Sequence, residues 1–288
     1  MTTQIHFTKM HGLGNDFVVL DTITQNFKPE PQLIRRIADR NFGIGCDQVL
    51  IVEPPADPHL DFNYRIFNAD GKEAAQCGNG ARCFGRYVYE RGLTGKKTLE
   101  IGTVSGKMTI DISDLSCIQV DMGPPIFSPK LIPLNIKAVS KLPKQGCYKI
   151  QLLGNHRDVV ILSMGNPHCV ISVPATTEAA VHEVGKALQK HPAFPKGVNV
   201  SFVQVLARNH IKCRVYERGV GETLACGTGA CASVVAGILH NELNPEVKVD
   251  MSGGGLTVKW VPEGPVLLSG PAVAVFHGQF SIHIQDAF

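Results

Sequence analysis

One short pattern occurs twice in this chain. QCGNGARC fills residues 76–83 and ACGTGACA fills 225–232, so Cys77 and Cys226 each precede glycine, a small polar residue, glycine and alanine. The spacing of 149 residues between these cysteines also aligns Phe67-Asn68 with Tyr216-Glu217, Glu73 with Glu222 and Gly106 with Gly255. Upstream, a spacing of 151 pairs Gly14-Asn15 with Gly165-Asn166 and Gln48 with Asn199; a two-residue change in length between the blocks reconciles the two registers. We read an ancient duplication, which restricts the chain to two units of one fold. Its 288 residues suit two domains.

The hydrophobic pattern repeats in the same order. In the first copy FVVLD (17–21) predicts a strand, LIRRIAD (33–39) a helix with Leu33/Ile37 and Ile34/Ala38 on one face, and VLIVE (49–53) and DFNYRIF (61–67) further strands. The second copy gives strands at 159–163 and 169–173, a helix at 178–189, and strands at 200–207 and 211–217. A helix follows each cysteine turn, over 80–91 and 228–240, and strands follow around 98–111, 117–122, 247–251 and 255–261. Hairpin-like pairs with few long crossovers predict an α+β fold of two pseudo-symmetric domains. We expect one domain over 1–124 plus 272–288 and the other over 125–271, with the proline-rich GPPIFSPKLIP (123–133) as the hinge. The pattern alone leaves the return of the last strands to the first domain open.

A net charge of only +3, without a basic run, argues against nucleic acid as a partner. No apolar run reaches the ~18 residues of a membrane span, and no secretory leader is visible. Nine cysteines, an odd number, fit thiols in a reducing cytoplasm better than a disulfide framework.

Each cysteine turn stands just before a helix start, with Asn79 and Thr228 as expected caps. The positive end of a helix lowers a nearby thiol's pKa from ~8.5 toward neutrality and offers N–H groups to a carboxylate. A proton-exchanging thiol beside a carboxylate site is what α-proton chemistry on an amino acid needs. Inverting a stereocentre needs two such groups, one for each face of the carbon. With each sulfur ~3–3.5 Å from the reacting centre, the sulfurs would stand on the order of 7 Å apart. They would then titrate as a coupled pair. The competing readings are packing, which is the usual fate of a single Cys-Gly before a helix, and zinc. Cys77/Cys83 and Cys226/Cys231 are short pairs, but without C-x2-C or paired histidines. GNG and GTG complete no G-x-G-x-x-G fingerprint, so no nucleotide site is expected.

MHGLGNDFVVLD (10–21), GIGCDQVLIV (43–52), FNADGKEAAQCGNGARC (67–83), GNPHCV (165–170), GVNVSFVQV (197–205) and YERGVGETLACGTGACAS (216–233) closely resemble diaminopimelate epimerase. The resemblance implies two pseudo-symmetric domains, each mainly antiparallel β structure curled around a helix. It implies a homodimer that interconverts LL- and meso-diaminopimelate in lysine and peptidoglycan precursor synthesis, using neither pyridoxal phosphate nor metal. Cys77 and Cys226 become the acid/base pair, and the N–H groups of Gly78, Asn79, Gly227 and Thr228 the carboxylate site. Asn15 and Gln48 would line the same pocket; Asn68, Asn166, Asn199, Glu217 and Arg218 would read the distal amino-acid end. Arg218 can meet a carboxylate as a fork and Glu217 can accept from an ammonium. His168, with Glu217, would tune which sulfur is ionised. Cys46 and Cys169 replace the family's usual alanine and are read as packing.

Two alternatives stay open. A two-cysteine proline or hydroxyproline racemase would act on a ring with no second charged end for Glu217 and Arg218. A thiol redox or zinc-binding module would use the same cysteines differently. Two opposed sulfurs would also be able to close into a Cys77–Cys226 disulfide on oxidation.

Overall fold

The computed structural model describes residues 2–75 and 77–283. Gln76 of the first cysteine stretch, Met1 and residues 284–288 of the segment assigned to the first domain lie outside the described residues. The chain divides into two compact units, one running to Asp121 and resuming at Gly270, the other spanning Met122–Ser269.

The first unit runs β1 (Thr2–Gly12), β2 (Asn15–Asp21), α1 (Pro31–Ala38), β3 (Gln48–Glu53), β4 (Phe62–Asn68), β5 (Glu73–Ala74), α2 (Gly78–Glu90), β6 (Thr98–Thr103), β7 (Gly106–Asp111) and β8 (Ile118–Asp121). β1 and β2 form an antiparallel hairpin, β2 and β3 are parallel across α1, β3 and β4 are antiparallel, and β4 and β6 are parallel across α2. Residues 17–21 and 49–52 are fully buried, so these strands read as continuous apolar runs rather than alternating ones. β1 was not expected: its threonines, lysine and histidines obscure the inward-facing Ile5 and Phe7. The expected strand at 98–111 is the β6–β7 hairpin.

The second unit repeats this order. It contains β9 (Ser140–Lys141), β10 (Cys147–Leu152), β11 (Asn155–Ser163), β12 (Pro167–Ser172), α3 (Val181–Gln189), β13 (Asn199–Ala207), β14 (His210–Glu217), β15 (Gly221–Thr223), α4 (Gly227–Leu239), β16 (Glu246–Met251), β17 (Gly254–Trp260) and β18 (Val266–Gly270). β12–β13 and β14–β16 are its parallel pairs, across α3 and α4, as β2–β3 and β4–β6 are in the first. β10 pairs antiparallel with β11. In the first unit β1 finds the corresponding partner in the last strand, β19 (Val273–His283). Two arginines of α2, the buried Arg82 and the half-buried Arg86, hold the chain leading into it: Arg82 Nε donates to Pro271 O at 3.1 Å and Arg86 Nη1 to Ala272 O at 2.7 Å.

Both units are α+β, mainly antiparallel sheet with one helix buried almost throughout. α4 has apolar or small residues on every side and is buried from Gly227 to Gly237; α2 is buried from Gly78 to Gly85 and again at Tyr87 and Val88. The expected hinge segment is not a loose linker. Ile126 and Ser163 exchange both backbone hydrogen bonds, and Ile132, with Leu134 just beyond the segment, enters the core of the second unit. No helix among the described residues is long and apolar enough to cross a membrane.

Glycines at Gly80 and Gly229 let the two helices press onto the sheets. A Cβ at Gly80 would lie 2.8 Å from the Tyr64 hydroxyl, and one at Gly229 would lie 2.9 Å from Val215 Cγ2. Alanine ordinarily stabilises a helix by ~1 kcal/mol over glycine. Gly229→Ala is expected to do the reverse, costing about 1–3 kcal/mol through overpacking. Gly95→Ala, with nothing within 4 Å of its Cβ, should be near neutral. Urea unfolding of both variants checks this; a Gly229→Ala protein as stable as wild type contradicts it.

Candidate active site

Both cysteines sit at the N-cap of a buried helix. Cys77 (φ −146°, ψ 118°) and Cys226 (φ −130°, ψ 107°) are extended, and their carbonyls accept the first helical bonds, from Ala81 N at 2.8 Å and Ala230 N at 2.9 Å. This corrects the expected caps: Asn79 and Thr228 lie inside the first turn, because the helices begin at Gly78 and Gly227. The N–H groups of a first turn have no partner within their helix. Gly78, Asn79, Gly227 and Thr228 therefore bring such donors beside each sulfur.

In the first unit, Leu13 and Gly14 both have positive φ (57° and 87°) and turn β1 into β2, the geometry of a two-residue hairpin. Asn15 follows directly. Its Oδ1 lies 3.6 Å from Cys77 Sγ and accepts from Asn79 Nδ2 at 3.3 Å, while its Nδ2 donates to Asp47 Oδ2 at 3.0 Å. Behind it lies an ion cluster. Arg40 Nη2 bridges Asp16 Oδ1 and Asp47 Oδ1, each at 2.8 Å; Lys9 Nζ reaches Asp16 Oδ2 at 2.5 Å and also Gly45 O. Burial works to raise the Asp16 carboxyl, but the hydrogen bonds from Arg40 and Lys9 prevail and hold it at about 2. Gln48 and Asn68 face each other across β3–β4, with Nε2 to Oδ1 at 2.8 Å.

In the second unit, Cys226 is buried. Burial pushes its thiol well above the ordinary range and the Glu217 carboxylate adds to this; the Thr228 hydroxyl and the Gly229 N–H oppose it. Thr228 Oγ1 is 3.5 Å from the sulfur and accepts from Asn166 Nδ2 at 3.3 Å, and Asn166 Oδ1 lies 2.9 Å from His168 Nε2. Asn166, expected at the distal end, thus belongs to the cluster around Cys226. Thr223 Oγ1 donates to Glu217 Oε1 at 2.6 Å. Asn199 donates to Pro167 O at 3.1 Å and accepts from Arg218 N at 3.0 Å; the exposed Arg218 side chain reaches Lys196 O at 3.2 Å. Cys46, Cys83, Cys169 and Cys231 are buried, and burial pushes the thiols of Cys46, Cys83 and Cys169 up to about 12. No group of three or more His, Cys, Asp or Glu among the described residues is arranged to hold a metal ion.

Two residues at the site escaped the sequence reading: Asp47 and the fully buried Arg82. Both lie inside the quoted motifs, but nothing in their spacing marks them. The repeat register does carry a signal for His168. It pairs with Asn199 as Phe17 pairs with Gln48, so it fills the place of a core aromatic.

That position explains its state. Burial first, and the Arg218 charge second, lower His168 from 6.5 to about 3, and its Nδ1 has no hydrogen-bond partner among the described residues. Between those two values the unfolded chain binds a proton that the native chain does not, so stability falls as pH is lowered through this window. His168→Phe should therefore lose less stability than wild type on acidification from about pH 7 to about pH 4.5. Urea unfolding at both pH values measures the difference, and equal losses contradict a neutral buried ring.

A family model described as diaminopimelate epimerase matches residues 7–128 and 160–275. Among solved structures, a hydroxyproline epimerase from Agrobacterium vitis, with trans-4-hydroxy-L-proline bound, is similar with a TM-score of 0.70 and 14% identity over 97% of this chain and 93% of that one. A probable proline racemase from Agrobacterium radiobacter K84 gives 0.68 and 16% over the same shares. A Bacillus anthracis phenazine biosynthesis protein of the PhzF family gives 0.65 and 18% over 98% and 100%. At these identities the structures share the fold alone, whereas the family model spans well over half of the sequence. The chain belongs to the diaminopimelate epimerase family.

Proposed function

We propose that this protein inverts one α-carbon of diaminopimelate, interconverting the LL and meso forms, with Cys77 and Cys226 as the proton-transfer pair. The observation that carries the reading is the placement of both cysteines, at repeat-related positions, on the N-caps of two buried helices. One sulfur, as thiolate, takes the Cα proton, and the electron pair left behind delocalises into the carboxylate. The other sulfur, as thiol, gives its proton to the opposite face and becomes the thiolate. The first-turn N–H groups of Gly78, Asn79, Gly227 and Thr228 would hold that carboxylate, where the positive helix ends favour the developing charge. No cofactor enters these steps.

Substrate choice rests on the other end of the molecule. Asn15, Gln48 and Asn166 would line the reacting end, and Asn68, Asn199, Glu217 and Arg218 would read the distal amino and carboxyl groups. A ring amino acid has no second charged end for Arg218 to bind. The reading carries with it a cytoplasmic homodimer working in lysine and peptidoglycan precursor synthesis.

Proton NMR of LL-diaminopimelate with the reduced protein in deuterated water should show α-deuterium and meso product. Cys77→Ser and Cys226→Ser should each slow epimerisation by on the order of 10²-fold or more. No exchange by active, monodisperse protein contradicts the substrate; exchange on proline instead moves the assignment to the two-cysteine racemases, and stoichiometric zinc to a metal module. Arg218→Gln should raise KM at least about tenfold while changing kcat less, as loss of a charge-assisted contact away from the reacting carbon does. Steady-state kinetics check this, and an unchanged KM removes Arg218 from the distal site.

A further inference from the structure

We propose that Asp47 and Arg82 are positioning residues that fix, from opposite ends, the direction of the Asn15–Asn79 amide pair, so that Cys77 meets a hydrogen-bond acceptor and rests as the proton-holding thiol. The inference deepens the acid/base role proposed for Cys77 and rests on it.

An asparagine amide can present either its oxygen or its nitrogen to a neighbour, and only the surrounding groups decide. Asp47 Oδ2, 3.0 Å from Asn15, can only accept, so Asn15 must turn its NH2 toward it. Arg82 Nη2, 3.0 Å from Asn79 Oδ1, can only donate, so Asn79 must turn its oxygen there. What remains between them is Asn79 Nδ2 donating to Asn15 Oδ1 at 3.3 Å, with Cys77 Sγ 3.6 Å from that same oxygen. Turning either amide would set N–H against guanidinium or C=O against carboxylate.

Both ends are anchored. Arg40 and the Asp16 N–H hold Asp47, at 2.8 and 3.1 Å; Arg82 is fully buried and also donates to Pro271 O and Gly78 O. Titratable groups near Cys77 among the described residues include the Tyr64 hydroxyl on β4, which donates to the Cys77 carbonyl at 3.4 Å, and the buried Cys83 thiol in α2. The related half is wired the other way. Asn166 turns its NH2 to Thr228, which leaves the hydroxyl proton of Thr228 for the Cys226 sulfur.

The test is the pH dependence of iodoacetamide alkylation at Cys77, read by mass spectrometry of its peptide, without substrate or turnover. Asp47→Asn puts a side chain that both donates and accepts where only an acceptor stood, so Asn15 can turn its NH2 to the sulfur. The alkylation midpoint should fall by about one pH unit, and Asp47→Ser should act in the same direction. The Asp47 side chain is 46% exposed, and circular dichroism verifies that both variants fold. The shift should persist in 1 M KCl, where a Debye length of ~3 Å removes the effect of a lost surface charge. Arg40→Gln, which opens the same ion cluster but keeps the carboxylate, should leave the midpoint in place. An unmoved midpoint in the Asp47 variants, a shift abolished by salt, or an equal shift in Arg40→Gln would overturn the proposal. Absence of epimerase activity would count against the proposed function alone, since the alkylation midpoint is read without it.

Discussion

A sulfur placed at the N-cap of a buried helix is the constraint around which each unit is arranged. The cap position gives the side chain the positive end of the helix, and burial removes the water that would otherwise dilute that field. Holding it there requires the helix to begin one residue later, a glycine at its third position so that strand and helix can touch, and a sheet that surrounds the helix. Gly80 against Tyr64 and Gly229 against Val215 meet that demand in the same way.

Duplication kept this frame and varied what touches the sulfur. Asn79 became Thr228 at the second helical position, and Phe17 corresponds to His168 in the paired strand. The consequence is chemical asymmetry on a symmetric scaffold: a half-buried Cys77 beside an amide oxygen, and a buried Cys226 between a hydroxyl donor and a carboxylate. A reaction that takes a proton on one face and returns one on the other needs such a difference at any instant, though not a permanent one.

Much of this was legible in the residues. The 149-residue register located both helices to within two residues of their starts, because a Cys-Gly-x-Gly turn leaves few other places to begin one. The apolar runs at 17–21 and 49–53 gave two buried strands. What the sequence hid was whatever depends on a partner far along the chain. β1 is held by β19 some 270 residues away, as the pairing of Phe7 with Gly278 shows, and its own polar composition gives no sign of it. Asp47 likewise acquires meaning only when the fold brings it to Asn15, and Arg82, one helical turn from Asn79, only when Pro271 arrives to hold it. Asn79 and Thr228 were expected as caps because their side chains are the ordinary ones, yet the cysteine before each takes that position.

The central claim is that two different sulfurs handle the proton on its way off and its way back. At low conversion of LL-diaminopimelate in deuterated water, the α-deuterium content of meso product and of recovered LL substrate tests it most directly. Two separate acid/base groups place solvent deuterium in the product and leave the recovered substrate unlabelled. Equal label in both would mean that one group serves both faces, which contradicts the account.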